Sequence, residues 1–253
     1  VLFLLSQIAE EKHQYDKALE WLDKIARDEE DDVSLNVEVK RAQIYAKKGN
    51  IQRARKIIAE LENENPYEKE RLLLTEAQIL RDAKKPYDAL DVLKKGMDEF
   101  PRSSNILYDY ALTAENLGKY GEMEIALRKI IGIDPGYQQA YNALGYSLAD
   151  RNVRLDEAQA LIEKAMQLAP NDPFITDSMG WVLFRQGKMT EAEQQLRRAY
   201  QLRQDPEIAV HLGEVLWVKG DKDGARDLFK QAGEKDPKNE LLESTLFRLK
   251  VQQ

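Results

Sequence analysis

Residues 139–150 read QAYNALGYSLAD, residues 156–173 read DEAQALIEKAMQLAPNDP, and the same pattern then begins again. Small residues recur between the two copies at offsets of 35, 34 and 34 residues: Gly145 with Gly180, Ala158 with Ala192, and Ala165 with Ala199. A fixed period near 34 residues, built from two amphipathic halves, is typical of a helical repeat array. The sequence therefore predicts an all-α protein made of stacked helix pairs.

The same spacing extends along the whole chain. We expect the two helices of a repeat to approach at one position, usually a small residue, and this position recurs in seven repeats: Ala18, Ala54, Ala89, Met123, Ala158, Ala192 and Ala225. Most repeats carry a proline about twelve residues later, which we expect to stop the second helix. The predicted repeats are 1–33, 34–66, 67–102, 103–136, 137–171, 172–205 and 206–237. Residues 238–253 are predicted to form a C-terminal capping helix, because terminal repeats need a cover.

Composition narrows the classes of function. The net charge is −7, which disfavours a nucleic-acid backbone as the main partner. No apolar run approaches 18 residues, so we expect no direct insertion of this segment into a membrane. The chain lacks cysteine and has two histidines, His13 and His211, in different repeats. Since metal sites usually need three or four convergent ligands, we expect structural roles for both, no metal, no cofactor and no catalytic site.

The repeats resemble the tetratricopeptide repeat, whose pattern places a large residue, Leu-Gly, an aromatic, Ala, an aromatic, Ala and Pro at set spacings. The fifth repeat supplies Tyr141, Leu144, Gly145, Leu148, Ala158, Ile162, Ala165 and Pro170. The sixth and seventh repeats follow closely, whereas Ala42, Ala77 and Ala111 replace the glycine in earlier ones. The resemblance implies a right-handed superhelical solenoid that binds other proteins.

A narrower resemblance lies in residues 177–200, DSMGWVLFRQGKMTEAEQQLRRAY, and residues 211–221, HLGEVLWVKGD. They are similar to a group of proteobacterial outer-membrane tetratricopeptide lipoproteins. One Pseudomonas member of that group binds and activates a periplasmic carboxyl-terminal processing protease and brings cell-wall hydrolases to it. The resemblance implies an adaptor that binds this protease, its substrates, or both. It also implies a periplasmic location, with the outer-membrane anchor of the parent lipoprotein outside this chain.

The family geometry also implies where a partner binds. Positions two, five, nine and twelve of each first helix face the inner groove, and their spacing makes one helical stripe. The candidate residues on or beside this stripe are Asn105, Tyr108, Glu115, Asn142, Tyr146, Asp177, Trp181, Phe184, Arg185, Glu214 and Trp217. Aromatic side chains are favoured as interface anchors, and Asn can bond an extended peptide backbone.

Two alternatives remain open for the tryptophans. In one, Trp181 and Trp217 anchor a ligand; in the other, they pack between neighbouring first helices and never meet one. A clamp for the acidic tails of heat-shock chaperones is excluded, because no repeat carries Lys and Asn together at positions five and nine. Those positions hold, for example, Asp177 and Trp181.

A second class of function also remains open, in which the chain is the helical-repeat regulatory part of a larger enzyme or of another assembly. The first residues, Val1-Leu2-Phe3-Leu4-Leu5, are typical of the middle of a helix. We therefore expect a fragment of a longer array, with any targeting signal upstream. We also expect the apolar edge at Val1–Leu5 to support self-association.

Overall fold

The computed structural model describes residues 1–25, 31–61 and 64–251. Within these ranges the regular structure is entirely helical, in fifteen helices. Their bounds are α1 Leu2–Glu11, α2 Tyr15–Ile25, α3 Asp31–Lys47, α4 Ile51–Glu60, α5 Pro66–Asp82, α6 Pro86–Glu99, α7 Ser104–Asn116, α8 Tyr120–Ile133, α9 Gln138–Asp150, α10 Leu155–Leu168, α11 Pro173–Arg185, α12 Met189–Leu202, α13 Pro206–Lys219, α14 Lys222–Lys235 and α15 Glu240–Leu249.

Consecutive helices pack as pairs in the order that the period predicts. The pairs α1–α2, α3–α4, α5–α6, α9–α10, α11–α12 and α13–α14 make extensive contacts. Odd-numbered helices up to α13 are the first helices of the repeats, and even-numbered helices are the second helices. The chain forms two compact units, an N-terminal unit Val1–Lys129 and a C-terminal unit Ile130–Gln253.

Glycines in the last three repeats allow the two helices of a pair to approach closely. A Cβ added at Gly180 would lie 2.5 Å from Leu196 Cγ and 3.2 Å from the Ala192 carbonyl oxygen. A Cβ at Gly213 would lie 2.6 Å from Phe229 Cε1. These separations are far below van der Waals contact, so an added methyl group would force the neighbouring side chain to move. Each of these glycines therefore faces mainly the large side chain that lies four residues after the alanine marking its repeat.

The turn within each pair uses a left-handed residue. Glycine supplies the positive φ at four of these turns, for example Gly187 at 79°. His13, Lys84 and Asn152 take the same conformation at φ of 56°, 59° and 57°. Glycine adopts this region without steric cost, whereas a side chain makes it less favourable. The turn geometry is therefore retained where glycine is absent.

Helix starts explain one departure from the predicted pattern. Pro66 is the proline twelve residues after Ala54 and is predicted to stop the second helix of its repeat, but it is the first residue of α5, with Asn65 as the N-cap. Proline suits that position because its missing N–H has no partner in the first turn anyway. The following repeat boundaries lie close to helix ends, and α3 begins at Asp31, three residues before the predicted boundary.

The predicted capping helix corresponds to α15. Asn239 caps its start, accepting a hydrogen bond from the Leu242 N–H at 2.8 Å. Its contacts are to α13 and α14, where Leu242 is buried. The helix therefore covers the C-terminal end of the seventh repeat.

Candidate protein-binding surface

The candidate residues on α7 lie in the N-terminal unit and are held by polar contacts. Asn105 donates from Nδ2 to Glu70 Oε1 at 3.1 Å, and this carboxylate also accepts from Ser103 Oγ at 2.8 Å. Asn105 is exposed, whereas Tyr108 and Glu115 are half-buried. All three remain at the surface of α7.

The other candidates lie on the first helices α9, α11 and α13 of the C-terminal unit. Five of them are half-buried and keep part of their side chains accessible: Asn142, Tyr146, Phe184, Arg185 and Trp217. We call these five residues the first-helix surface. Asp177, Trp181 and Glu214 are buried beneath it.

Trp181 is only 2% exposed and packs between first helices. Its ring stacks on the His211 imidazole with centroids 4.4 Å apart and planes 23° apart. The indole also meets the Phe184 ring at 5.2 Å, and the Arg185 guanidinium lies 5.7 Å from its centroid. Of the two alternatives for this residue, packing between first helices describes its position, and Trp181 supports its half-buried neighbours from below.

A chain of polar side-chain contacts, formed by Tyr146, His211 and Asp177, crosses the same region; we call it the polar chain. His211 Nδ1 lies 2.8 Å from Asp177 Oδ2, and His211 Nε2 lies 3.4 Å from the Tyr146 hydroxyl. The side chains of His211 and Asp177 are 3% and 8% exposed. Tyr146, Asp177 and His211 stand on three successive first helices, so one polar chain links α9, α11 and α13.

The charge of this cluster follows from its surroundings. Burial lowers the pKa of His211, but the Asp177 carboxylate outweighs it, and Glu214 and Glu207 add to the effect. The net result is a pKa raised above the ordinary histidine value. A protonated imidazole therefore compensates the buried Asp177 carboxylate, whereas a neutral imidazole leaves it without a counter-charge.

Some buried polar atoms in this region have no hydrogen-bond partner within the described part of the chain. They include Asn142 Oδ1, Asp177 Oδ1 and Trp181 Nε1. Such atoms are costly in a protein interior, because each has lost its water. The hydrogen-bonding capacity of the polar chain and its neighbours is thus only partly filled by the residues described.

Glu214 and Trp217 occupy the C-terminal end of the surface. The Glu214 side chain is 2% exposed and binds the Arg248 guanidinium of α15, with Arg248 Nη2 at 2.8 Å from Oε2. Trp217 is covered on one side by Lys222, whose Nζ lies 3.9 Å from the ring centroid. Glu214 therefore holds the capping helix α15 against α13. Lys222 leaves less of the Trp217 ring accessible to a ligand.

Metal-binding clusters and membrane-spanning helices are not found among the described residues. No group of three or more His, Asp or Glu side chains there could hold a metal ion. Within the same ranges, every helix falls short of the length and apolarity needed to cross a membrane. A groove of about 450 Å³ in the N-terminal unit is lined by polar and apolar residues mainly of α1, α3 and α5, and Glu10, Lys40 and Lys47 are among its charged side chains.

Sequence reasoning missed the role of His211, although a signal was present. His211 follows Asp177 by 34 residues, which is one repeat period. Residues one period apart occupy equivalent places on neighbouring first helices, so they are natural contact partners. Applying the period to acid and base residues would have predicted the pair.

Comparison with protein families gives matches to tetratricopeptide repeat models at residues 104–137 and 178–240. TPR repeat-containing protein PA4667 of Pseudomonas aeruginosa is 37% identical over 84% of this chain. The human protein O-mannosyl-transferase TMTC1 is 25% identical over 64% of it. The chain spans only 35% and 19% of these two relatives.

Solved structures share the fold at low sequence identity. A tetratricopeptide repeat protein of Parabacteroides merdae matches 99% of this chain and 98% of its own, with a TM-score of 0.72 and 18% identity. A thermophilic TPR protein of Thermus thermophilus matches 72% of this chain and 100% of its own, with a TM-score of 0.64 and 23% identity. These matches confirm the all-α tetratricopeptide solenoid class. The chain therefore carries tetratricopeptide repeats at residues 104–137 and 178–240 and shares the fold of tetratricopeptide repeat proteins.

Proposed function

We propose that this chain is a protein-interaction scaffold and that the first-helix surface of its C-terminal unit binds the partner. Tetratricopeptide repeats serve as protein-interaction scaffolds. The observation that carries the proposal is the arrangement at Phe184 and Arg185. A phenylalanine ring and a guanidinium, both enriched in protein interfaces, stand half-buried against the buried Trp181 indole.

The partner we propose is a periplasmic carboxyl-terminal processing protease, with cell-wall hydrolases as the substrates presented to it. Two observations support this choice. Residues 177–200 and 211–221 resemble the lipoprotein adaptors of that system, and both segments contribute to the surface and its buried support. The 37% identity to the Pseudomonas relative extends over most of this chain. The parent protein would then be an outer-membrane lipoprotein facing the periplasm.

A second candidate function is a helical-repeat regulatory region within a larger enzyme. It is favoured by the similarity to an O-mannosyl-transferase and by the small share of each relative that this chain covers. In that case the partner of the repeats would be a catalytic domain on the same polypeptide. Failure of the chain to bind the protease would favour this candidate.

Self-association remains a separate prediction. Helix α1 leaves apolar side chains accessible, with Leu4 58% and Phe3 36% exposed. An apolar edge of this kind favours contact with a second copy. Light scattering at high protein concentration tests the prediction, and a monodisperse monomer would contradict it.

The binding proposal is tested by calorimetry of this chain with the purified protease. The variant is Phe184→Ala with Arg185→Glu. The control is Leu202→Ala with Arg197→Glu, which makes the same type of change at accessible positions of the second helix α12. We expect the first variant to weaken binding by at least about tenfold, the loss of one hot spot or more, and the control to bind like wild type.

The remaining outcomes separate the parts of the proposal. Binding that both variants retain would place the site away from the first-helix surface. Binding that both variants lose would indicate a general effect on the array rather than loss of one surface. If the wild-type chain does not bind the protease, the proposed partner is wrong. Circular dichroism of each variant confirms that the helices remain.

A further inference from the structure

We propose that the Asp177–His211 pair is a proton-operated lock that holds α9, α11 and α13 together beneath the first-helix surface. The proposal concerns a group that neither the family pattern nor the proposed partner explains. Its use in regulating partner binding rests on the proposed function, whereas the lock itself follows from the geometry of the pair.

The pair connects helices that are neighbours in space and distant in sequence. Asp177 on α11 and His211 on α13 are 2.8 Å apart, and Tyr146 on α9 meets the second imidazole nitrogen at 3.4 Å. A protonated imidazole donates from both nitrogens, to the carboxylate and to the hydroxyl oxygen. A neutral ring can keep both contacts, donating from Nδ1 to Asp177 and accepting from the Tyr146 hydroxyl at Nε2, so the proton adds the positive charge beside the buried carboxylate.

The carboxylates around His211 favour its charged form, whereas the more distant Arg185 guanidinium opposes it. Helix α11 contributes Asp177 and, beyond the indole, Arg185; helix α9 contributes Tyr146. Helix α13 itself carries Glu207 one turn before His211 and Glu214 one turn after it.

Other elements that pack on α13 contribute fewer charges near His211. Arg248 of α15 binds Glu214 and so offsets that carboxylate. Glu193 of α12 binds Lys219, two turns along α13 from His211. Helix α14 presents the Phe229 ring to Gly213. Asp177 consequently remains the principal counter-charge of the imidazolium.

Loss of the proton changes the balance inside the unit. Asp177 is then a buried carboxylate facing a neutral ring, and its Oδ1 has no partner in the described structure. A buried charge without compensation is strongly unfavourable. The attraction of the imidazolium for the stacked Trp181 face is lost as well.

The Trp181 indole connects the His211 imidazole to the first-helix surface. Trp181 contacts both the imidazole and the Phe184 ring, and Arg185 stands over the same indole. Loosening of the Trp181 stack therefore loosens the two residues that we propose to contact a partner. The lock is closed at low pH and opens as pH rises.

The direction with pH follows from linkage. Because the folded pKa of His211 lies above the ordinary histidine value of about 6.5, folding binds a proton between these two values. The stabilisation is complete below about pH 6.5 and is lost as pH rises through the folded pKa. Between the two values, the folding equilibrium constant falls by up to about tenfold per pH unit.

The chain offers matched variants for the test, because it has only two histidines. His13→Asn removes the exposed histidine and leaves His211; asparagine tolerates the positive φ of that turn. His211→Gln removes the proposed lock and leaves His13. Asp177→Asn keeps the shape of the carboxylate and removes its charge.

The first measurement is a titration of the histidine side chains by nuclear magnetic resonance, together with urea unfolding from pH 5.5 to 9. In His13→Asn we expect a pKa above 6.5 for His211 and a pH-dependent folding equilibrium. In the Asp177→Asn variant we expect the pKa of His211 to be lower than the pKa of His211 in the His13→Asn variant. A pKa of His211 below 6.5 in His13→Asn would overturn the proposal.

The second measurement is amide hydrogen exchange along the chain, with α5 and α6 of the N-terminal unit as the internal reference for the intrinsic effect of pH. In His13→Asn we expect protection in α9, α11 and α13 to fall relative to the reference as pH rises. In His211→Gln we expect the protection of these three helices, relative to the reference helices, to stay constant with pH. The same pH trend in both variants would overturn the lock even if His211→Gln is less stable overall.

Binding of the purified protease separates this proposal from the proposed function. We expect the dissociation constant to rise with pH in His13→Asn more than in His211→Gln. Equal pH dependence in the two variants, with exchange behaving as expected, would overturn the regulatory role and leave the binding proposal intact. Absence of binding at every pH would overturn the choice of partner, while the exchange result still decides the lock.

Discussion

Gly180 offers the sharpest test of how the repeats pack. In Gly180→Ala the new methyl carbon would lie 2.5 Å from Leu196 Cγ and 2.9 Å from Leu196 Cδ2. Carbon atoms normally approach to about 3.5–4.0 Å, so the overlap is about 1 Å. Movement of the leucine relieves only this overlap, because the Ala192 carbonyl oxygen, a backbone atom, also lies 3.2 Å from the same position.

Two effects of opposite sign set the magnitude. Overpacking of this kind costs about 1–3 kcal/mol. Alanine is also a better helix former than glycine, by about 0.8–1.0 kcal/mol. Gly132→Ala isolates the second effect, because Gly132 is exposed in α8 and a Cβ there meets nothing within 4 Å. We expect the free energy of unfolding of Gly180→Ala to lie about 1–3 kcal/mol below that of Gly132→Ala.

Urea unfolding followed by circular dichroism measures this difference. Leu196→Ala provides an internal check, since shortening that side chain makes room for the methyl group. We expect Gly180→Ala to cost at least about 1 kcal/mol less in the Leu196→Ala background than in wild type. If Gly180→Ala is as stable as Gly132→Ala, the close approach of α11 and α12 is not what requires glycine, and the packing argument fails.

Three further predictions concern caps and ion pairs. Asp172→Ala removes the N-cap of α11, which accepts from the Phe174 and Ile175 N–H groups at 2.8 and 3.0 Å, and should lower the free energy of unfolding by about 1 kcal/mol in a urea titration. Arg248→Ala leaves the buried Glu214 carboxylate unpaired and should cost about 1.5–3 kcal/mol, with faster hydrogen exchange in α15; unchanged exchange would contradict the fastening role. Burial opposes ionisation of Glu10, but hydrogen bonds from its two lysine partners outweigh it and hold its pKa below the ordinary value, so this stabilisation is present at neutral pH and is lost on acidification through the folded pKa. Glu10→Gln should therefore flatten acid unfolding of the N-terminal unit, as followed by hydrogen exchange in α1 and α3.

Much of the fold was predictable because the packing of a repeat is local. The 34-residue period and its small residues predicted the helix pairs, and the capping helix followed from the need to cover the last repeat. Pro66 shows where a single-residue signal is ambiguous. A proline can follow the end of one helix or occupy the first position of the next. Here the N-cap at Asn65 places Pro66 at the first position of α5.

The candidate surface was less predictable, because the inner face of a first helix also packs against its neighbours. Trp181 and Phe184 belong to the same stripe, yet Trp181 is almost fully buried and Phe184 is not. Their difference comes from the imidazole of the next repeat, which covers the indole. Helical periodicity identifies a face, whereas depth on that face depends on which side chain the neighbouring repeat supplies.

The turns show a similar limit. The left-handed residue of each helix pair is a glycine in four repeats, which the sequence indicates. His13, Lys84 and Asn152 take that conformation at the other turns, where histidine and asparagine give a weaker signal than glycine and lysine gives none. Packing of the two helices fixes the turn there, and the residue pays a modest strain.

The most direct test of the binding proposal is a hydrogen-exchange footprint of this chain with and without the purified protease. If the first-helix surface is the binding site, α9, α11 and α13 should gain protection in the complex while α10, α12 and α14 remain unchanged. Protection confined to the second helices, or to the ends of the array, would contradict the account.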